Sequence, residues 1–154
     1  MTPESRAALE ARILKHEGHP DLPYFDSREL ATAGIGHLIE HIVIPANCIT
    51  CGDILRYLSD KSVHQAWFDA DVDNAIQGAA TCLITYYEQP EIVQQVLAEL
   101  CFQMGTYGLA KFEKMLQACR VRDYPKAAQE GLNSAWWRQT PKRAEELMAL
   151  LAAA

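Results

Sequence analysis

The stretch EGHPDLPYFDSRELATAGIGHL, residues 17–38, is the part of the chain on which the fold turns. Pro20, Pro23, an Asp26-Ser27 turn and the pair Gly34 and Gly36 divide it into short runs such as LPYF and ATAGIGHL, and HIVI follows at 41–44. Short runs bounded by turn residues predict a small, twisted, antiparallel β-region over residues 19–44, which Pro45 ends. Upstream, the sequence predicts a helix: Thr2 can cap it, Pro3 fits its first position and Glu4 sits in its first turn. Leu9, Ile13 and Leu14 supply an apolar face and Gly18 a stop, so Glu17 falls at or just beyond the C-terminal end.

Downstream the pattern is helical. Thr50 with Asp53 resembles a capping box for a short helix through Leu58. Ser59 or Ser62 can start a longer helix, with Val63, Trp67, Val72 and Ile76 as a broken apolar stripe. Pro90 fits the first turn of a helix carrying Ile92, Val93, Val96, Leu97, Leu100, Cys101 and Met104. Apolar residues cover nearly its whole circumference, which predicts a buried central helix; Gly105 and Gly108 break it. Leu109, Phe112, Met115, Leu116 and Cys119 form the next helix. Asp123 can cap a short one, and Thr140-Pro141 starts the last, with Leu147, Leu150 and Leu151 inward. No repeats or low-complexity stretches interrupt this layout, and the final AAA reads as a frayed tail. The predicted class is α+β, mostly helical.

At 154 residues the chain fits one domain, or two small lobes sharing a core. Apolar residues make up 49% and charged residues 22%, ordinary values for a globular protein. No stretch approaches the roughly 20 apolar residues of a membrane span, so no stable membrane insertion is expected. The charged, amphipathic start, MTPESRAALEARILKHE, does not read as a secretory signal peptide, and accumulation in the cytoplasm is expected. The formal charge of −6 argues against a nucleic-acid partner, which needs a basic face. Cys48, Cys51, Cys82, Cys101 and Cys119 are odd in number, and reduced thiols are the simplest reading. Cys48 and Cys51 form one CxxC, with His41 and His64 nearby in sequence; a zinc site wants four ligands, usually two such pairs, so no metal is expected.

Glu17 and Asp26 are a minimal kit for hydrolysing a glycosidic bond. One carboxyl must be protonated to donate to the leaving oxygen, and the other ionised to activate water or attack the anomeric carbon. Their environments must hold their proton affinities apart. Thr32 alone reads as an unremarkable strand residue, and Gly34 and Gly36 as a bulge or twist device. His16 and His19 lie near Glu17 but read as exposed loop residues, since no Ser or Cys nucleophile motif accompanies them.

The wider window adds specificity. Glu17-Gly18, Tyr24, Asp26, Thr32 and Gly34-Ile35-Gly36-His37-Leu38 resemble the active-site segment of the T-even phage lysozymes, glycoside hydrolase family 24. Eight residues separate Glu17 from Asp26 and five separate Asp26 from Thr32, as in that family. Phe102-Gln103-Met104-Gly105, Gly108, Phe112, Gln139-Thr140-Pro141 and Arg143 follow in family order. Ala66-Trp67-Phe68-Asp69-Ala70-Asp71-Val72-Asp73 resembles the family's interlobe helix, and residues 40–58 match poorly.

The resemblance implies a two-lobed lysozyme-like domain over 1–154 with a substrate cleft between the lobes. The small β-containing lobe would span 18–60, the helical lobe 1–17 and 80–154, and the interlobe helix 61–79. It implies Glu17 as general acid, with Asp26 and Thr32 holding the attacking water from two sides. Inversion would require carboxyl groups roughly 6.5 to 9.5 Å apart. Leu38 and Phe102 match cleft-lining positions, Arg143 a basic residue approaching the catalytic Glu, and His37 and Asp71 a structural ion pair. Gln103 stands with these as a supporting residue. The implied substrate is bacterial peptidoglycan, cut between N-acetylmuramic acid and N-acetylglucosamine without a cofactor. The setting would be host lysis, with a holin giving access to the wall; a monomer suffices.

Three positions depart from the family pattern. Glu29 stands where glycine is common, and a φ > 0 there would carry a steric cost. Glu130 and Ala135 replace an Asn and a basic residue of relatives. A lysozyme fold retained for glycan binding without catalysis, and a lytic transglycosylase, are the alternatives; Asp26 and Thr32 at hydrolase spacing disfavour the latter. Trp136 and Trp137 could stack on sugar or pack the C-terminal helices.

Overall fold

A computed structural model of the chain describes residues 1–25 and 29–154. Its first element, α1 (Pro3–Glu17), starts where capping chemistry places it: the Thr2 hydroxyl accepts the Ser5 N–H at 3.2 Å. Gly18 ends it with φ of 74°, a conformation that suits a residue without Cβ. The sheet follows as β1 (Tyr24–Phe25), β2 (Ala31–Ala33) and β3 (His37–Leu38), antiparallel and in sequence order. Tyr24 pairs with Thr32 and Thr32 with Leu38, so Thr32 occupies the middle strand.

HIVI does not extend the sheet. Residues Ile39–His41 make a 3-10 turn, and the Ile42 N–H returns to the Ile39 carbonyl at 3.0 Å. The apolar run that suggested a strand is therefore bent at its start, and Val43 is exposed.

Helix α2 (Cys51–Leu58) carries the full capping box: Thr50 and Asp53 exchange side-chain and backbone hydrogen bonds. Helix α3 (Lys61–Cys82) starts neither at Ser59 nor at Ser62. Asp60 caps it, accepting from the Ser62 N–H at 2.8 Å and from its hydroxyl at 2.6 Å, bonds that hold the Asp60 carboxyl below its usual pKa. Its buried stripe is His64, Phe68, Val72, Ala75 and Ala79, while Val63 and Trp67 are half-buried. The first two members thus fall one residue later than the apolar pattern suggests, Val72 is shared, and Ala75 replaces Ile76.

Helix α4 (Glu91–Ala110) is buried around its circumference from Val93 to Cys101. Gly105 kinks it with φ of 71°, but the helix resumes through Gly108, so Leu109 belongs to α4 rather than to the next element. Phe112 then caps α5 (Glu113–Arg120), Asp123 caps α6 (Tyr124–Leu132) through the Lys126 N–H, and Thr140-Pro141 begins α8 (Pro141–Ala152). Between them lies α7 (Ala135–Gln139), whose cap, Ser134, accepts the Trp137 N–H at 3.3 Å.

The chain divides into two units, Met1–Arg12 with Val72–Ala154, and Ile13–Asp71; the boundaries fall inside α1 and α3. In the first, Val93, Val96, Leu97, Leu100, Leu147 and Leu151 are fully buried members of one core. In the second, Ile13, Ala33, Ile35 and Phe68 are the most buried apolar residues. The fold is thus α+β and mostly helical, with a small three-stranded sheet.

Glu29 takes φ of 63°, the left-handed region, without being glycine. That conformation costs a residue with a Cβ about 1–2 kcal/mol, while glycine loses about 0.4–1 kcal/mol more chain entropy on folding. Relief of strain exceeds the entropy cost. Glu29→Gly is therefore expected to raise stability by about 0.5–1 kcal/mol in urea unfolding; a fall would show that the Glu29 side chain makes offsetting contacts.

Candidate active site

Glu17 ends α1, and its carboxylate faces the turn between β2 and β3: a Cβ on Gly36 would sit 3.9 Å from Glu17 Oε2. That turn, Gly34-Ile35-Gly36, has φ of 59° at Gly34 and 75° at Gly36, and Ile35 is buried between them. Gly34 is required twice over. Besides its positive φ, a Cβ there would lie 2.8 Å from Cγ of His64. The spacing that marked Gly34 and Gly36 in the sequence therefore encodes a close approach of backbone to both an imidazole and a carboxylate.

Thr32 is buried, and its hydroxyl donates to the Leu30 carbonyl at 3.0 Å. With its proton so committed, Thr32 Oγ1 can serve a further polar group only as an acceptor. Asp26 lies outside the described residues, so the separation of the two carboxyl groups is not part of this geometry. Leu38 is half-buried opposite Thr32 in the sheet.

His37 and Asp71 meet as an ion-pair geometry, Nδ1 to Oδ2 at 2.6 Å, and the His37 ring stacks on Trp67 at 5.1 Å between centroids. Trp67 also receives Tyr57 edge-on and contacts His64. His19 reaches the same group through Nε2 to Nδ1 of His64 at 3.1 Å.

The remaining candidates belong to the helical unit. Phe102 is half-buried against its core. Gln103 Oε1 accepts the Trp136 indole N–H at 2.8 Å, and Trp136 meets Phe112 edge-on, so this tryptophan is a packed residue; Trp137 is more exposed. Arg143 is buried with its Nε 3.3 Å from Glu99 Oε1, while Arg12 Nε sits 2.5 Å from Glu99 Oε2. Glu99 is fully buried on α4, a position the apolar circumference of that helix concealed. The available signal was an acidic residue inside an apolar run, which is seldom tolerated without a cationic partner.

A cavity of about 460 Å³ opens in this unit, with Phe112 and Trp136 as apolar wall and Lys114, Glu130, Asn133 and Ala135 around it. Glu130 and Ala135, two of the three departures from the family pattern, both line it. All five cysteines are free thiols, and burial pushes the Cys119 thiol up to about 12. No three His, Cys, Asp or Glu side chains converge on a metal-sized site among the described residues. No described helix is long and apolar enough to cross a membrane.

Two substitutions test the packing. Gly34→Ala should cost about 2–3 kcal/mol, the sum of left-handed strain and overpacking against a ring pinned at both nitrogens. Unfolding near the wild-type midpoint would show that the turn tolerates a Cβ. Glu99→Gln should cost about 3 kcal/mol, because it strips the carboxylate from two buried guanidinium groups. An unchanged urea midpoint would show that Arg12 and Arg143 need no counter-charge.

No family model matches the chain. It is 29% identical over 160 residues to probable T4-type lysozyme 2 of Dictyostelium discoideum, covering 94% of the chain and 93% of that protein. Probable T4-type lysozyme 1 of the same organism is 27% identical over 90% of the chain and 91% of its own length. The pre-baseplate central spike protein Gp5 of enterobacteria phage T4 is 40% identical over 157 residues, and there the chain spans only 27% of the relative's length. Two of these alignments run nearly end to end, and over that length the chain is similar to the T4-type lysozymes of Dictyostelium discoideum, with a mostly helical α+β fold.

Proposed function

We propose that the chain is a muramidase that hydrolyses the β-1,4 bond between N-acetylmuramic acid and N-acetylglucosamine in bacterial peptidoglycan. The likeness to proteins named T4-type lysozymes supports a lysozyme-type glycoside hydrolase activity; the bond and the residues are our reading. The observation that carries it is the placement of the Glu17 carboxylate against the Gly36 turn, in the sheet whose middle strand buries Thr32. Glu17 acts as the general acid toward the leaving oxygen. Thr32, with its proton given to Leu30, accepts a hydrogen bond from the attacking water, and Asp26 holds that water from the other side.

Each supporting residue then has a defined task. The His37–Asp71 pair and the Trp67 ring fix β3 beneath Leu38, which contacts sugar. Phe102 is a second sugar contact, and Gln103 acts through its bond to Trp136. Arg143, held by Glu99, supplies positive charge to a chain whose net charge is −6. The protein acts as a monomer in host-cell lysis, reaching the wall from the cytoplasm through a holin lesion.

Purified protein should clear outer-membrane-permeabilised bacteria, and Glu17→Gln should lower the clearing rate by at least about 10²-fold with the circular dichroism spectrum unchanged. New reducing ends among the products would accompany clearing. Equal rates for wild type and variant would remove Glu17 from the mechanism. Products ending in 1,6-anhydro rings would mean a transglycosylase, and retention of glycan without release would mean a binding module.

A further inference from the structure

Two of the five thiols meet at one residue of the helical unit. Cys82, the last residue of α3, donates from its Sγ to the Thr106 carbonyl at 3.4 Å. On α4, Cys101 Sγ lies 3.8 Å from the Thr106 hydroxyl. Gly78 makes room for this meeting: a Cβ there would stand 2.5 Å from Cys101 Sγ and would also strike Thr106 Oγ1. Residues four apart share one face of a helix, and their side chains lean toward its N-terminus. Cys82 therefore reaches back along α3 toward Gly78, the place where the Cys101 sulfur rests. Both sulfurs lie within side-chain reach of the same glycine and of the same threonine.

The two thiols differ in access. Cys101 is buried and Cys82 half-buried, so a reagent from solution meets Cys82 first. Burial raises both thiols above the ordinary cysteine value. At Cys101 the Thr106 hydroxyl opposes that rise and the neighbouring Cys82 adds to it. Cys119, buried beside Tyr124, and Cys48 and Cys51, in the other unit, lie elsewhere.

We propose that Cys82 and Cys101 form a dithiol modification site, oxidised by a small disulfide of the glutathione class to a bridge between α3 and α4. The Cys82 thiolate attacks one sulfur of the oxidant, forming a mixed disulfide and expelling the first thiolate. The Cys101 thiolate then attacks the Cys82 sulfur, and the other half of the oxidant leaves as the second thiolate. Two protein S–H bonds and the oxidant's S–S bond are broken, and one protein S–S bond forms. The two protons end on the expelled thiolates, and the two electrons lost by the protein reduce the oxidant.

The bridge would tie the last turn of α3 to α4 just before Gly105, whose φ of 71° kinks that helix. It would close the loop that carries the 3-10 turn Tyr86–Glu88 and the buried first half of α4, and so remove freedom from the unfolded chain. On the proposed route from cytoplasm to wall, the protein leaves a thiol-reducing compartment for an oxidising one, where such a bridge persists. The site itself depends neither on that route nor on Glu17.

The whole protein, folded and without urea, is incubated with oxidised glutathione at about pH 8.5, where more of a raised thiol is ionised than at neutral pH. It is then alkylated and digested for peptide mapping by mass spectrometry. Peptides holding Cys82 and Cys101 should be joined, with the loss of two hydrogen atoms and no retained glutathione. Cys101→Ser should stop at the mixed disulfide, with glutathione held on Cys82. The bridged wild type should unfold at a urea concentration higher by about 1 M than its reduced form, a difference absent from Cys101→Ser. Unreacted thiols, glutathione left on Cys82 of the wild type, a bridge that forms only in urea, a bridge to another cysteine, or a lower midpoint for the bridged form would each overturn the proposal. Mapping of the wild type decides even if Cys101→Ser fails to fold.

Discussion

The turn Gly34-Ile35-Gly36 is the constraint on which the β-containing unit depends. It reverses the chain between two strands of only two or three residues, and strands so short do not hold a sheet by their own hydrogen bonds. Two positive φ values bring the backbone against His64 on one side and Glu17 on the other. Any side chain at Gly34 would separate strand from helix. The backbone of this turn thus sets the surface that the candidate acid's carboxylate meets.

In the helical unit the governing interaction is electrostatic. Glu99 lies at the middle of α4 with Arg12 and Arg143 on either carboxylate oxygen, and Gln95 bridges to both Arg12 and Ser5. A buried triad of this kind adds little net stability over an apolar packing of equal volume. It does fix which face of α1 and which of α8 meets α4, since a one-residue rotation would bury a guanidinium against hydrocarbon. Nearby, Tyr124 donates to Gln89 and Gln94 to the Gln89 carbonyl, while Gln94 Oε1 is buried without a hydrogen-bond partner among the described residues.

Capping chemistry was the most legible part of the sequence. Thr2, Thr50 with Asp53, Asp123 and Thr140-Pro141 each mark a helix start where the structure has one, because the signal is local and needs no tertiary partner. The failures share a cause. His64 was noted only for lying near a CxxC, yet it sits at the head of the buried stripe of α3, since its two hydrogen bonds offset the cost of burial. Glu99 was invisible inside an apolar run for the same reason: its partners come from residues 12 and 143, far away in sequence. Gly108 was taken as a breaker, but a glycine with ordinary φ only weakens a helix, and Gly105 alone takes the left-handed conformation that kinks it. Of the candidate site, the glycine turn was readable from spacing, and the His37–Asp71 pair only from the family resemblance. The ring group behind them was not, because Tyr57 and His64 carry no motif.

Those rings explain how so small a sheet stays in place. His64, Trp67 and Asp71 recur at intervals of three and four along α3 and so lie on one face of the helix. Each meets a different part of the sheet: His64 the Gly34 turn, Trp67 the His37 ring, and Asp71 the His37 Nδ1. Three contacts spread over two turns of one helix fix both the tilt and the register of β3, which two backbone-paired residues could not do alone. His37 and Asp71 belong to the resemblance with the phage lysozymes, and the His64–His19 contact engages the same helical face. The sheet is thus held from one helix, at the Gly34 turn by His64 and at β3 by Trp67 and Asp71.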